Sequence, residues 1–157
     1  MALIKGNHLV LAFQSSSTVA VIPVNQTGHL GTPTRPSIST IPLTAMETTY
    51  ALSDIKRVGT AIYVLNRQVL PPYTSEGDTI AKFELSDGQL DPTGHIQLPC
   101  YHPRELRILD KNTMAVTCVG GDGKKGGVVL LEDEQVHAYW QGPSTWGVAE
   151  TLYPMPV

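Results

Sequence analysis

The chain repeats itself, and the repeat limits what it can fold into. Leu9 to Leu30 reads LVLAFQSSSTVAVIPVNQTGHL, and Ile62 to Leu90 reads IYVLNRQVLPPYTSEGDTIAKFELSDGQL. Setting Thr18-Val19-Ala20 against Thr79-Ile80-Ala81 aligns an apolar strand, a polar loop, an alternating strand, a turn at Gly28 or Gly88 and a closing leucine. A weaker third copy, Met114 to Val136, keeps two strands around GGDGKKGG. A further alternating strand precedes each copy: ALIKGN, TTYALSDIKRVG and PRELRILDKN. A period of about 50 residues with four strands per unit is the size of a propeller blade. The expected fold is therefore all-β, a partial propeller of three four-stranded antiparallel blades in one domain, with units at 1–43, 44–98 and 99–157. A compact β-sandwich is the alternative for the same strands.

Punctuation supports strands over helices. Twelve prolines and fourteen glycines interrupt 157 residues, and helix-period segments are nearly absent. In EDEQVHAYW, the alternation of Val136, Ala138 and Trp140 favours a strand. A formal charge of -3 with no basic block argues against nucleic acid as a partner. No apolar run approaches membrane-helix length. MALIKGNHLVLAF is a poor signal peptide, so export has no support and a cytoplasmic location is favoured. Cys100 and Cys118 are expected to be free, structural thiols. The five histidines form no HxxxH or HxH pair, and neither metal nor cofactor is expected. SSSTV lacks a nucleophile context, GGDGKKGG departs from the phosphate-loop pattern, and Trp140 and Trp146 are expected to pack between blades.

Three blades cannot close a ring, and an open wedge leaves apolar faces at both ends. The expected partner is therefore either an N-terminal half belonging to a longer chain or a second copy in a homodimer.

The motifs, in their order, resemble the lactonase family of seven-bladed propellers, which includes propeller-type 6-phosphogluconolactonase and 3-carboxy-cis,cis-muconate lactonizing enzyme. AIYVLNRQ…GDTIAKFELSDGQL is similar to that family's penultimate blade, HPRELRIL to the start of its last blade, TAMETTYALSD to the strand before its Asn-Arg motif, and TLYPMPV to its tail. The resemblance spans nearly the whole chain, against only the C-terminal half of the family's length. It implies a lactonase or carboxymuconate-type cyclase acting on a small anionic lactone or carboxylate. Of the family's catalytic constellation, only the arginine of the Asn-Arg motif has a counterpart, Arg67. The family glutamate falls on Gln14, and TAMETTYALSD places an acid at Glu47.

Such chemistry needs cations for carboxylates and a proton donor. Arginine suits the first task through its planar, permanently charged fork. Arg67 reads equally as an anion-binding group or a blade-to-blade ion pair. Arg104 reads better as a structural pair, although it is also a candidate for substrate binding. His102 is a candidate proton donor, with a strand cap or surface position as the plainer reading. Gln14 has no titratable proton, which implies impaired catalysis in the isolated chain. Glu47 replaces it only if it points into the channel. A non-catalytic binding or self-assembly scaffold is the alternative function.

Overall fold

The structure, a computed structural model, describes residues 2–33, 35–42, 50–69, 78–121 and 124–142. They form three antiparallel sheets of four strands, each an up-and-down meander from one contiguous stretch of chain. The first holds β1 (Ala2–Lys5), β2 (His8–Phe13), β3 (Thr18–Pro23) and β4 (Ile38–Ser39). The second holds β5 (Tyr50–Val58), β6 (Ala61–Gln68), β7 (Thr79–Ser86) and β8 (Gln89–Gln97). The third holds β9 (Pro103–Ile108), β10 (Thr113–Gly121), β11 (Lys124–Glu132) and β12 (Gln135–Gln141). The described residues contain no helix. This is the all-β, partial-propeller architecture that the repeat calls for, with three stacked sheets where a sandwich has two.

The hairpins follow from turn chemistry. Asp87 and Gly88 join β7 to β8 with φ of 50° and 73°, the double left-handed pair that a two-residue hairpin requires. Asp133 and Glu134 do the same between β11 and β12, at 46° and 64°. The φ of 73° at Gly88 is what calls for glycine in this turn. The first sheet departs from the expected layout. The Gly28 turn leads only to an isolated Val24–Leu30 bridge, and the outer strand comes later, at Ile38–Ser39. Pro33 and Pro36 stand in the intervening stretch, and proline cannot donate to a ladder.

Strand alternation builds two cores from the middle sheet. One face of it, with Ile62, Val64 and Phe83, packs on Val10, Ala12, Val19 and Val21 of the first sheet. The other, with Tyr63, Leu65 and Ile80, packs on Leu106, Met114, Val116 and Val129 of the third. Each such buried side chain is worth about 1.5–3 kcal/mol relative to exposure.

Polar contacts fasten the same interfaces. Between the first two sheets, the buried Asn66 amide donates to the Thr40 carbonyl (2.6 Å) and to Thr79 Oγ1 (3.1 Å). Thr40 Oγ1 lies 2.8 Å from Asn66 Oδ1 and 3.0 Å from the Ser17 carbonyl, sharing its one proton. His95 Nε2 lies 2.9 Å from the Thr40 carbonyl, and Ser17 Oγ donates to the Tyr50 carbonyl (3.0 Å). Between the second and third sheets, Asp54 Oδ2 accepts the Leu106 N–H (2.9 Å). At the end of the sheets away from Asn66, Glu134 accepts from Tyr63 Oη (2.9 Å) and from Lys82 Nζ. Burial, reinforced by the Glu134 bond and charge and by Glu84, pushes the Tyr63 phenol up to about 12. Burial raises the Glu134 carboxyl, but the Lys82 and Tyr63 bonds outweigh it and hold it below its ordinary value.

Two expectations need correction. Cys100 and Cys118 are not free thiols but form a disulfide, with Cα atoms 6.1 Å apart. Cys118 sits opposite Pro103 on the β9–β10 ladder, and the chain bends back just before Pro103, carrying Cys100 over it. Trp140 does not pack between the described sheets. It is 51% exposed on β12, the outermost strand of the third sheet. Trp146 lies outside the described residues. The far face of the first sheet is also open: Phe13 is 43% exposed and lines a cleft of about 620 Å³ with Thr18, Ala20, Pro33, Arg35 and Pro36.

Two stability predictions follow from these contacts. Replacing both cysteines by alanine, or reducing the wild type, should lower stability by about 3 kcal/mol, since the bridge spans a sequence separation of 18. Urea denaturation with and without reductant measures this, and coincident curves would show that the bridge does not form. Asn66→Ala should cost about 3 kcal/mol, because it leaves Thr40 and Thr79 without their buried partner. An unchanged urea midpoint would show that the amide network contributes nothing.

Candidate functional site

The second core seam ends in charge. Tyr63, Leu65 and Arg67 share one side of β6, because strand side chains alternate, and Arg104 stands two residues before Leu106, where the β9–β10 ladder bulges. Tyr63, Leu65 and Leu106 fill the core between the sheets. One step beyond them on β6, Arg67 stands at the end of the seam, near enough to Arg104 for the two charges to repel. Arg67 is half-buried and Arg104 exposed. The Arg67 Nε is buried and makes no hydrogen bond among the described residues. Burial, then the charge of Arg104, pulls the Arg67 guanidinium below its ordinary value, and Asp78 opposes them.

Asp78 is the anion of this group. It stands at the end of the β6–β7 connection, immediately before β7, and is only 3% exposed. Oδ1 accepts the Gln68 N–H (2.7 Å) and Oδ2 accepts the His102 N–H (2.9 Å). Burial pushes its carboxyl up to about 6, against the lowering effect of the two N–H bonds and of Arg67. His102 is partly buried, with a left-handed φ of 52°, and its carbonyl accepts the Val119 N–H (3.1 Å).

The other sequence candidates lie elsewhere. Gln14 is exposed in the β2–β3 turn and makes no hydrogen bond to this group among the described residues. Glu47 lies outside the described residues. The structure thus groups Arg67, Arg104 and His102 and adds Asp78, which sequence reasoning passed over. The available signal was an acid directly before the alternating strand TIAKFEL, at the end of a long connection. No group of three or more His, Cys, Asp or Glu able to hold a metal ion occurs among the described residues.

No protein-family model and no curated protein matches the chain. Its fold does recur in solved structures. It superposes on the periplasmic gluconolactonase PpgL of Pseudomonas aeruginosa with a TM-score of 0.65 at 17% identity, covering 87% of this chain and 36% of that one. Two putative 6-phosphogluconolactonases match as well, that of Bacteroides uniformis (TM-score 0.59, 21% identity, 91% of this chain and 38% of that) and that of Bacteroides fragilis (0.61, 17%, 94% and 38%). At these identities the likeness is one of fold. The chain spans little more than a third of the length of each of these structures.

The Asp78 carboxyl generates a pH prediction. A carboxyl raised above its unfolded value binds its proton more tightly when folded, so its favourable contribution is full below the ordinary carboxylate range and is lost as pH rises through about 6. Relative to Asp78→Asn, the wild type should therefore gain stability as pH falls from 7 to 4, measured by urea titration at each pH. A difference that does not vary with pH would show that Asp78 titrates as in the unfolded chain.

Proposed function

We propose that this chain belongs to a lactonase-type propeller protein and carries the part of its site that holds an anionic group of the substrate. The ligand class is a small lactone or sugar acid bearing a carboxylate or phosphate. The observation that carries this reading is the neighbouring charges of Arg67 and Arg104, with Asp78 the one carboxylate among the described residues that offsets Arg67. Among the described residues, two positive charges face one negative, and the buried Arg67 Nε has a donor to spare. A bidentate anion meets both needs, since guanidinium and carboxylate or phosphate pair in parallel N–H···O bonds.

The resemblance in fold to a gluconolactonase and to 6-phosphogluconolactonases supports lactone hydrolysis as the reaction class. In that reaction water adds to the lactone carbonyl, negative charge develops on its oxygen, and the ring opens to a carboxylate. A guanidinium held in place stabilises that charge without reorganising. Asp78 is not the general base in this reading, because both of its oxygens are occupied by backbone N–H groups. His102, whose backbone N–H Asp78 holds, is the proton carrier in this reading.

The test compares hydrolysis of 6-phosphogluconolactone and uncharged gluconolactone by pH-stat, using wild type and Arg67→Ala. The phosphorylated lactone should be preferred, and Arg67→Ala should lower its kcat/KM about 10- to 100-fold, the worth of one or two hydrogen bonds to a charged group. Hydrolysis unaffected by Arg67→Ala would place the site elsewhere.

A further inference from the structure

The charges of the site are set by Arg67 and Arg104, but nothing in either side chain fixes the distance between their strands at this end. β6 and β9 belong to different sheets, and no ladder joins them. Asp78 supplies the missing link. Gln68, whose N–H it accepts at 2.7 Å, follows Arg67 in the chain; His102, whose N–H it accepts at 2.9 Å, lies two residues before Arg104. One carboxylate thus bonds the backbone beside each guanidinium. Its own carbonyl takes the Leu98 N–H (3.0 Å) and Gln97 Nε2 (3.3 Å), so Asp78 holds the 98–102 loop at both ends. The Cys100–Cys118 disulfide and the Val119–His102 bond brace the same loop from the β10 side.

Building on the anion-site reading above, we infer that Asp78 is a positioning residue: its carboxylate sets the spacing of Arg67 and Arg104, and thereby the affinity for a bidentate oxyanion. It is buried and fully engaged, so it acts through the two arginines without touching the ligand.

This role differs in sign from the obvious alternative. A carboxylate that only neutralised Arg67 would compete with the ligand, and removing it would strengthen anion binding. A positioning carboxylate weakens binding when removed. A purely structural residue alters stability and leaves affinity unchanged in the folded chain. Asp78→Asn keeps the size, removes the charge and turns one of the two acceptors into a donor.

The experiment is calorimetric titration of the full chain with sulfate at low ionic strength, at a temperature where each variant is folded. Asp78→Asn should bind sulfate about tenfold more weakly, the effect of losing one charge-assisted hydrogen bond, and Arg67→Ala should lose binding altogether. Unchanged or tighter binding in Asp78→Asn, with binding still lost in Arg67→Ala, overturns the positioning role and leaves the anion site standing. A wild type that does not bind sulfate overturns both. Should Asp78→Asn fail to fold, His102→Gln is titrated at pH 7 and pH 5. Arg67, Arg104 and sulfate keep their charges over that range, and Asp78 takes up its proton near 6. Weaker binding at pH 5 supports the positioning role, and equal or tighter binding overturns it.

Discussion

The buried amide of Asn66 is the contact on which the arrangement of the sheets turns. It sits on the face of β6 that looks toward the first sheet and bonds Thr40, while the next residue, Arg67, emerges on the opposite face toward the third. The pleat makes this division automatic, since adjacent side chains on a strand point to opposite faces. Asn66 fastens this end of β6 to the first sheet. A strand end fixed in this way presents its arginine at a set height relative to β9. A frayed end would leave a long, rotamer-rich side chain to find its own place, at an entropy cost for every ligand bound.

The two interfaces of the middle sheet are fastened by different chemistry. Neutral amides and hydroxyls join it to the first sheet: Asn66 with Thr40, and Ser17 with the Tyr50 carbonyl. Carboxylates join it to the third: Asp54 on the Leu106 N–H, Asp78 on the His102 N–H and Glu134 on Tyr63 and Lys82. Bonds to ionised acceptors are the stronger class, and these three are spread along the contact. Burial pushes the Asp78 carboxyl up to about 6, against its two N–H bonds and the Arg67 charge. A charge kept in so unfavourable a place is a common mark of a functional site.

The sequence made the sheets legible because their causes are local. Alternation and the Asp-Gly turn at 87–88 lie within a few residues of the strands they define, and self-comparison amplified both signals. Arg67, Arg104 and His102 stood out as candidates for the same reason. What escaped depends on residues brought together from a distance. β4 is two residues long and follows a proline-rich stretch, so it has no period to read. The cysteines meet only because the chain folds back before Pro103. Asp78 draws its role from backbone N–H groups 10 and 24 residues away, and backbone donors leave no trace in residue identity. Gln14 illustrates the converse: its position was readable by resemblance, yet the structure leaves it exposed in a turn.

Each sheet is closed within its own stretch of chain, and this has a kinetic consequence. Every ladder pairs strands joined by a single connection, so no strand must wait for a distant partner before its hydrogen bonds form. Hairpins of this kind close in about 1–10 μs, and loop entropy, the usual brake on β-proteins, is small at such separations. The non-local step is the meeting of faces: Val64 with the first sheet, Leu65 with the third. Folding speed in such a chain is set by how fast preformed units stack, which makes the middle sheet, required by both interfaces, the natural template for the other two.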